Sequence, residues 1–222
     1  MIELDVCMTK DRVPIVIHDK TLERTTDGHG LVSEFTLSKL KKLDAGSWFS
    51  PEFKGESIPT LEEILMQIRG KISVNIEIKP ESFESDDPAD AIEKQICIMV
   101  EKFGMIESVL ISSFEHSFFQ RIKLWHWKNN NTTSIRIAPL QEKSFSHENV
   151  LKLCKSTEAY SFHLDEKFLT PSIVEFLHAN HLRTIAYTIN NEKRIEHLIK
   201  WGVKGIITDE PELAWKVLRK FN

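Results

Sequence analysis

Two acidic side chains, Glu3 and Asp5, interrupt the apolar run Ile2-Glu3-Leu4-Asp5-Val6 with a spacing of two. Residues i and i+2 of a strand share a face. The run therefore predicts a strand with both carboxylates on one side and Ile2, Leu4 and Val6 on the other. Adjacent anions on a buried face repel each other and lose hydration, so the pair calls for a cation. A second pattern of this kind occurs in Asn75-Ile76-Glu77-Ile78-Lys79, where alternation sets Asn75, Glu77 and Lys79 on one face. Glu77 and Lys79 have two readings: a buried ion pair that fixes packing, or a third metal ligand beside an anchor for an anionic group. Carboxylate oxygens with no Cys and no evident His ligand suit a hard cation, Mg²⁺ or Ca²⁺, better than Zn²⁺. With a lysine close by, the natural substrate of such a site is a phosphate ester.

The segment after Val6 bears on the same site. Few residues separate Val6 from Val13, too few for a parallel crossover, so the chain around Lys10-Asp11-Arg12 is predicted to turn an antiparallel hairpin. Pairing of the two arms brings His18 back beside Glu3. An imidazole close to a metal-bound substrate can serve as general acid or base.

The elements that position these residues follow from the hydrophobic pattern. Short β-rich runs alternate with helical patterns, which predicts βα units and a mostly parallel sheet. Strands are expected at Ile2-Val6, Val13-Ile17, Ser73-Ile78, Val109-Ser112, Ser134-Ala138, Ala159-Phe162, Thr184-Ile189 and Gly205-Thr208. The second is the returning arm, and the rest are parallel candidates. Thr60 followed by Glu63 reads as a capping box opening a helix that stops near Gly70. Further helices are expected over Ala89-Phe103, after Thr170-Pro171, over Glu192-Trp201 and over Pro211-Phe221. Phe118, Phe119, Ile122 and Trp125 keep a helical core spacing, and His126 to Asn131 reads as a helix end and polar loop. Residues 19–59 break the alternation and are predicted to form an insertion within a single domain spanning residues 1–222.

Bulk composition is that of a globular chain, with 41% hydrophobic and 28% charged residues. A net charge of -4 gives no general attraction to nucleic acid. Cys7, Cys97 and Cys154 are far apart and outside any metal-binding spacing, as expected of reduced thiols in a cytoplasmic protein. No basic leader and no apolar run of membrane-spanning length is found.

The runs Ile2-Glu3-Leu4-Asp5-Val6, Val13-Pro14-Ile15-Val16-Ile17-His18-Asp19, Arg24-Thr25-Thr26, Leu43-Asp44-Ala45-Gly46-Ser47-Trp48-Phe49 and Ile58-Pro59-Thr60-Leu61-Glu62-Glu63 occur in order. Asn75-Ile76-Glu77-Ile78-Lys79, Ser112-Ser113-Phe114, Tyr187-Thr188-Ile189-Asn190 and Gly202-Val203-Lys204-Gly205-Ile206-Ile207-Thr208-Asp209 continue the series. Together they resemble the glycerophosphodiester phosphodiesterase family across nearly the whole chain. The resemblance implies a TIM barrel with a small insertion after the second barrel strand, and a divalent cation held at Glu3, Asp5 and Glu77. It matches His18 to a catalytic histidine and Lys79 to an active-site lysine near the phosphate. It sets Tyr187, where the family often has Trp, as an apolar wall for the glycerol or leaving group. The implied reaction splits a glycerophosphodiester, a small-molecule substrate, to glycerol 3-phosphate and an alcohol.

The sequence also departs from the family pattern. Members begin with a strand bearing a His-Arg-Gly motif and a helix opened by a Pro-Glu-Asn-Thr-like turn, and neither is present. A typical barrel takes about 250 residues and one βα unit roughly 30, so the shortfall matches one unit. The expected fold is therefore α/β, a TIM (β/α)8-type barrel incomplete at its N-terminus, with an open strand edge available for oligomerisation. The absent unit would carry the other catalytic histidine, so little or no diesterase activity is expected of the chain as written. A catalytically inactive metal- or phosphate-binding domain and a lysophospholipase D are the competing readings. For the latter, Trp48, Phe49 and Phe53 would cover an acyl chain; the simpler reading makes them the insertion's own core. His163 is expected near the active-site mouth, and Asp209 or Glu210 as a cap of the last helix.

Overall fold

β1 (Ile2–Met8) turns back through Arg12, at φ 63°, into β2 (Pro14–Val16). Val6 lies opposite Val16, Cys7 opposite Ile15 and Met8 opposite Pro14. The Thr9 hydroxyl donates to the Asp11 carboxylate over 2.8 Å, and the Thr9 N–H donates to the Val13 carbonyl. The predicted hairpin is thus present, closed by short polar side chains. The computed structural model describes residues 1–129, 134–142 and 146–221. It divides into two units, Met1–Arg136 and Ile137–Asn222.

In the first unit β1 also pairs in parallel with β3 (Val74–Ile78), and β3 with β4 (Val109–Ser113). The register aligns Glu3, Asn75 and Leu110 in one row and Asp5, Glu77 and Ser112 in the next, all on one face. The opposite face buries Val6, Val74, Ile76, Ile78, Val109 and Ile111. Between β2 and β3 lie α1 (Leu37–Leu40) and α2 (Leu61–Ile68). α2 opens with the predicted capping box: the Glu63 N–H donates to the Thr60 hydroxyl, and the Glu63 carboxylate accepts from the Thr60 N–H. α3 (Ile92–Lys102) and α4 (Ser117–Lys128) complete the unit, burying Ile96, Val100, Phe118, Phe119 and Ile122.

The second unit repeats the βα rhythm. β5 (Arg136–Gln141), β6 (Ser161–Asp165), β7 (Arg183–Tyr187) and β8 (Gly205–Ile206) pair in parallel in that order. They alternate with α5 (His147–Thr157), α6 (Pro171–Ala179), α7 (Glu192–Trp201) and α8 (Pro211–Leu218). Phe162, Leu164 and Ala186 from the strands bury with Val150, Ile173, Val174, Leu177, Ile195, Leu198 and Val217 from the helices. Thr170 caps α6 ahead of Pro171, as its sequence predicts.

Several boundaries differ from expectation. α3 begins at Ile92, because Asp87 takes a positive φ and Pro88 follows it before the helix starts. β6 continues through His163 to Asp165, so His163 is buried within a strand. Glu210 takes the N-cap position of α8 with Pro211 in the first turn, as expected, but without a side-chain capping bond: Asp209 accepts from Asn190, and Glu210 donates its N–H to Thr208. Asn130 and Asn131 of the expected polar loop lie outside the described residues.

Residues 19–59 form a turn-rich segment whose Leu22, Val32, Leu40 and Ile58 bury together with Cys7, Ile15 and Ile17. Its apolar interior is therefore shared with the hairpin. Trp48, Phe49 and Phe53 are not that core: they are 52%, 71% and 44% exposed. Backbone bonding fixes their loop, since the Asp44 carboxylate accepts N–H bonds from Gly46, Ser47 and Gly55. Among the described residues no helix is long and apolar enough to cross a membrane. All three cysteines are free and buried.

Candidate active site

The two-residue spacings of β1 and β3, brought into register, gather Glu3, Asp5 and Glu77 so that one carboxylate oxygen of each lies within 4.8 Å of the others. Lys79 joins them from the end of β3. Its ammonium donates to Glu77 Oε1 over 2.8 Å and lies 3.3 Å from Asp5 Oδ1. The ion pair and the carboxylate cluster, alternatives on sequence grounds, are both present. Lys79, Asp5 and Glu77 side chains are only 13%, 14% and 12% exposed.

One ammonium does not balance three anions, and the charged form of Glu3 is the most strongly disfavoured. Burial, then repulsion by Asp5 and Glu77, pushes the Glu3 carboxyl up to about 8, against a smaller opposing pull from Lys79. Burial likewise raises Glu77, although Lys79 offsets part of this. Burial alone would lower the Lys79 ammonium, but the charges and hydrogen bonds of Glu77 and Asp5 hold it above the ordinary lysine range. This donor set fits a hard divalent cation: the oxygens are close enough to share one ion, and the cluster carries more negative charge than its own lysine neutralises.

His18 leaves β2 at its open end. The Ile17 N–H donates to the Asp5 carbonyl, so the register carried one residue further sets His18 across from Leu4, one place short of the expected Glu3. Its ring Nδ1 donates to Asp19 Oδ1 over 2.6 Å, and Arg24 donates to both oxygens of Asp19 at 2.5 and 2.8 Å. The Arg24 guanidinium, with help from His18, holds the Asp19 carboxyl well below the usual range. The imidazole is exposed and contributes to the charge surroundings of Glu77. Sequence reading picked out His18 but gave no role to Asp19 or Arg24. An acid directly after the histidine, with an arginine five residues on, was the available signal.

Where β1 and β3 end, a groove of about 490 Å³ is lined by residues including Cys7, Thr9, Lys20, Val32, Glu81 and Ser82. The buried Cys7 thiol donates to the Ile17 carbonyl, and burial pushes its pKa up, which makes it an inert wall. Tyr187 belongs to the second unit, at the end of β7, where its hydroxyl donates to the Gln141 carbonyl over 3.0 Å.

A parallel α/β sheet that gathers carboxylates, an ammonium and an imidazole near its strand ends has the architecture of a parallel α/β enzyme. Comparison with known proteins agrees, and places the chain: it belongs to the glycerophosphoryl diester phosphodiesterase family, whose model matches residues 1–213. A glycerophosphodiester phosphodiesterase of Caldanaerobacter subterraneus is 37% identical over 99% of this chain and 86% of its own length. One of Bacillus subtilis is 32% identical over 99% of this chain and 77% of its own. Among solved structures, an Oleispira antarctica phosphodiesterase in complex with the product sn-glycerol-3-phosphate is 26% identical, with a TM-score of 0.83. That match covers 98% of this chain and 84% of the other. A glycerophosphodiester phosphodiesterase of Agrobacterium tumefaciens matches with a TM-score of 0.77 at 26% identity, over 96% of this chain and 84% of the other. These neighbours give the α/β fold as that of the TIM-barrel class.

Proposed function

We propose that this chain, contrary to the low activity expected from its sequence, hydrolyses glycerophosphodiesters to sn-glycerol 3-phosphate and an alcohol, with Glu3, Asp5 and Glu77 holding a divalent cation, Mg²⁺ or Ca²⁺. The observation that carries the reading is the convergence of three carboxylates and Lys79 from two paired strands, in a chain of this family. When bound, such an ion supplies Lewis acidity toward a phosphoryl oxygen. Lys79 supplies a point charge for a second phosphate oxygen. Its donors, now held by Glu77 and Asp5, would be free for that task if those carboxylates held the cation.

His18 moves the proton. Asp19 fixes the imidazole through Nδ1, leaving Nε2 to give a proton to the departing alcohol or take one from the attacking oxygen. Arg24 keeps Asp19 ionised and in place. The groove at the ends of β1 and β3 is the space proposed for the departing alcohol. Tyr187 is read as a wall for the glycerol on the strength of the family pattern.

The deciding experiment follows release of glycerol 3-phosphate from glycerophosphocholine by the 222-residue chain, with Mg²⁺, with Ca²⁺ and with chelator. Release that chelator abolishes and that Glu77→Gln lowers by about 100-fold or more supports the reading. Release indifferent to chelator and to Glu77→Gln overturns it.

A further inference from the structure

Five buried side-chain polar atoms have no hydrogen-bond partner among the described residues, and two of them lie on the carboxylate face: Asn75 Oδ1 and Ser112 Oγ. Asn75 is 3% exposed and aligned with Glu3 on the neighbouring strand; Ser112 is fully buried and aligned with Glu77. Leaving such atoms unpaired is costly, a cost out of place in the well-packed middle of a parallel sheet. Both atoms are oxygens able to accept.

We propose that Asn75 and Ser112 are part of the cation site, accepting hydrogen bonds from water molecules that the ion carries. The proposal rests on the reading of Glu3, Asp5 and Glu77 as cation ligands. A hard cation held by a few carboxylates keeps several waters, and each donates two protons that need acceptors. The carboxylate oxygens turned to the ion are no longer free for this. The Asn75 carboxamide oxygen and the Ser112 hydroxyl are the uncharged acceptors on the same two rows. They therefore act as positioning residues, orienting the ion's water shell beneath the strand ends where the phosphate would sit.

Calorimetric titration of Mg²⁺ and Ca²⁺ into the chelator-treated full chain, with thermal unfolding measured before and after, tests this. Ser112→Ala and Asn75→Leu are expected to weaken cation binding about 10-fold or more. Ser112→Ala should leave the melting temperature of the chelated chain unchanged or higher, because it removes an unpaired buried hydroxyl. Asn75→Asp keeps an acceptor oxygen and should keep cation binding, and it carries the test for this position if Asn75→Leu does not fold. Wild-type affinity in folded Ser112→Ala, or loss of binding in Asn75→Asp, overturns the proposal while leaving the carboxylate site standing. A wild-type chain that takes up no cation, at any concentration where Glu77→Gln also takes up none, overturns the carboxylate site and this proposal together.

Discussion

Lys79 Nζ donates over 2.8 Å to Glu77, the carboxylate two residues before it on the same strand. The same ammonium lies 3.3 Å from Asp5 on the neighbouring strand. The lysine thus neutralises the carboxylates that a cation would use, and the two positive charges compete for them. Lys79→Met is expected to tighten cation binding, by about tenfold or more given the charge separation involved, while raising KM for the phosphodiester. Cation titration and steady-state kinetics on the same variant separate these two effects.

The imidazole of His18 is held by Asp19, which is held by Arg24. His18→Ala is expected to lower kcat by about 10²–10⁴-fold, the range of a lost general acid or base. Asp19→Asn should cost less, since the imidazole stays but loses its orienting anion. Measured kcat values in the order wild type, Asp19→Asn, His18→Ala check the relay, and equal values for all three would remove His18 from the chemistry.

Glu3 is the carboxylate least compensated by Lys79, with burial and its acidic neighbours as the cause. Replacing it with an uncharged isostere relieves that cost. In chelator, Glu3→Gln is expected to melt at a higher temperature than wild type, and in saturating cation the order should reverse. Paired unfolding curves with and without cation read out both halves.

In the second unit, burial holds the His163 imidazole near 3, well below its usual 6.5. Only Ser161 Oγ, at 3.1 Å, pairs with its Nε2 among the interactions described, and Nδ1 is unpartnered. Between about 3 and 6.5 the unfolded chain binds a proton that the folded chain does not. Stability from this group is therefore full above the unfolded value and is lost as pH falls through the window toward 3. His163→Phe should flatten this part of the pH profile of denaturant unfolding. An unchanged slope would show that His163 takes up its proton without unfolding.

The main features of the fold were written in local patterns. The β1–β2 hairpin followed from a connection too short for a crossover, the α2 start from Thr60 and Glu63, and the carboxylate face from two spacings of two. What could not be read was the partner of each side chain. Asn75 falls on the carboxylate face by alternation alone, but its unpaired oxygen depends on the register of β3 against β1. Ser112 looks like any small residue in a buried strand until β4 sets it against Glu77. Trp48, Phe49 and Phe53 have the composition of a core, yet the Asp44-bonded loop holds them outward. His163 reads as following its strand because a polar residue in an apolar run looks like a boundary, whereas β6 continues through it to Asp165.

Asp5 and Lys79 are 74 residues apart in the chain, and every member of the carboxylate cluster stands on either β1 or β3. An ion shared by these strands would act as a cross-link closing a long loop. Its binding energy would offset the entropy of bringing distant segments together and fall on the pairing slowest to form. The cation would then govern folding kinetics as well as catalysis. Amide exchange along β1 and β3 should slow on its addition more than exchange along α3 or α4.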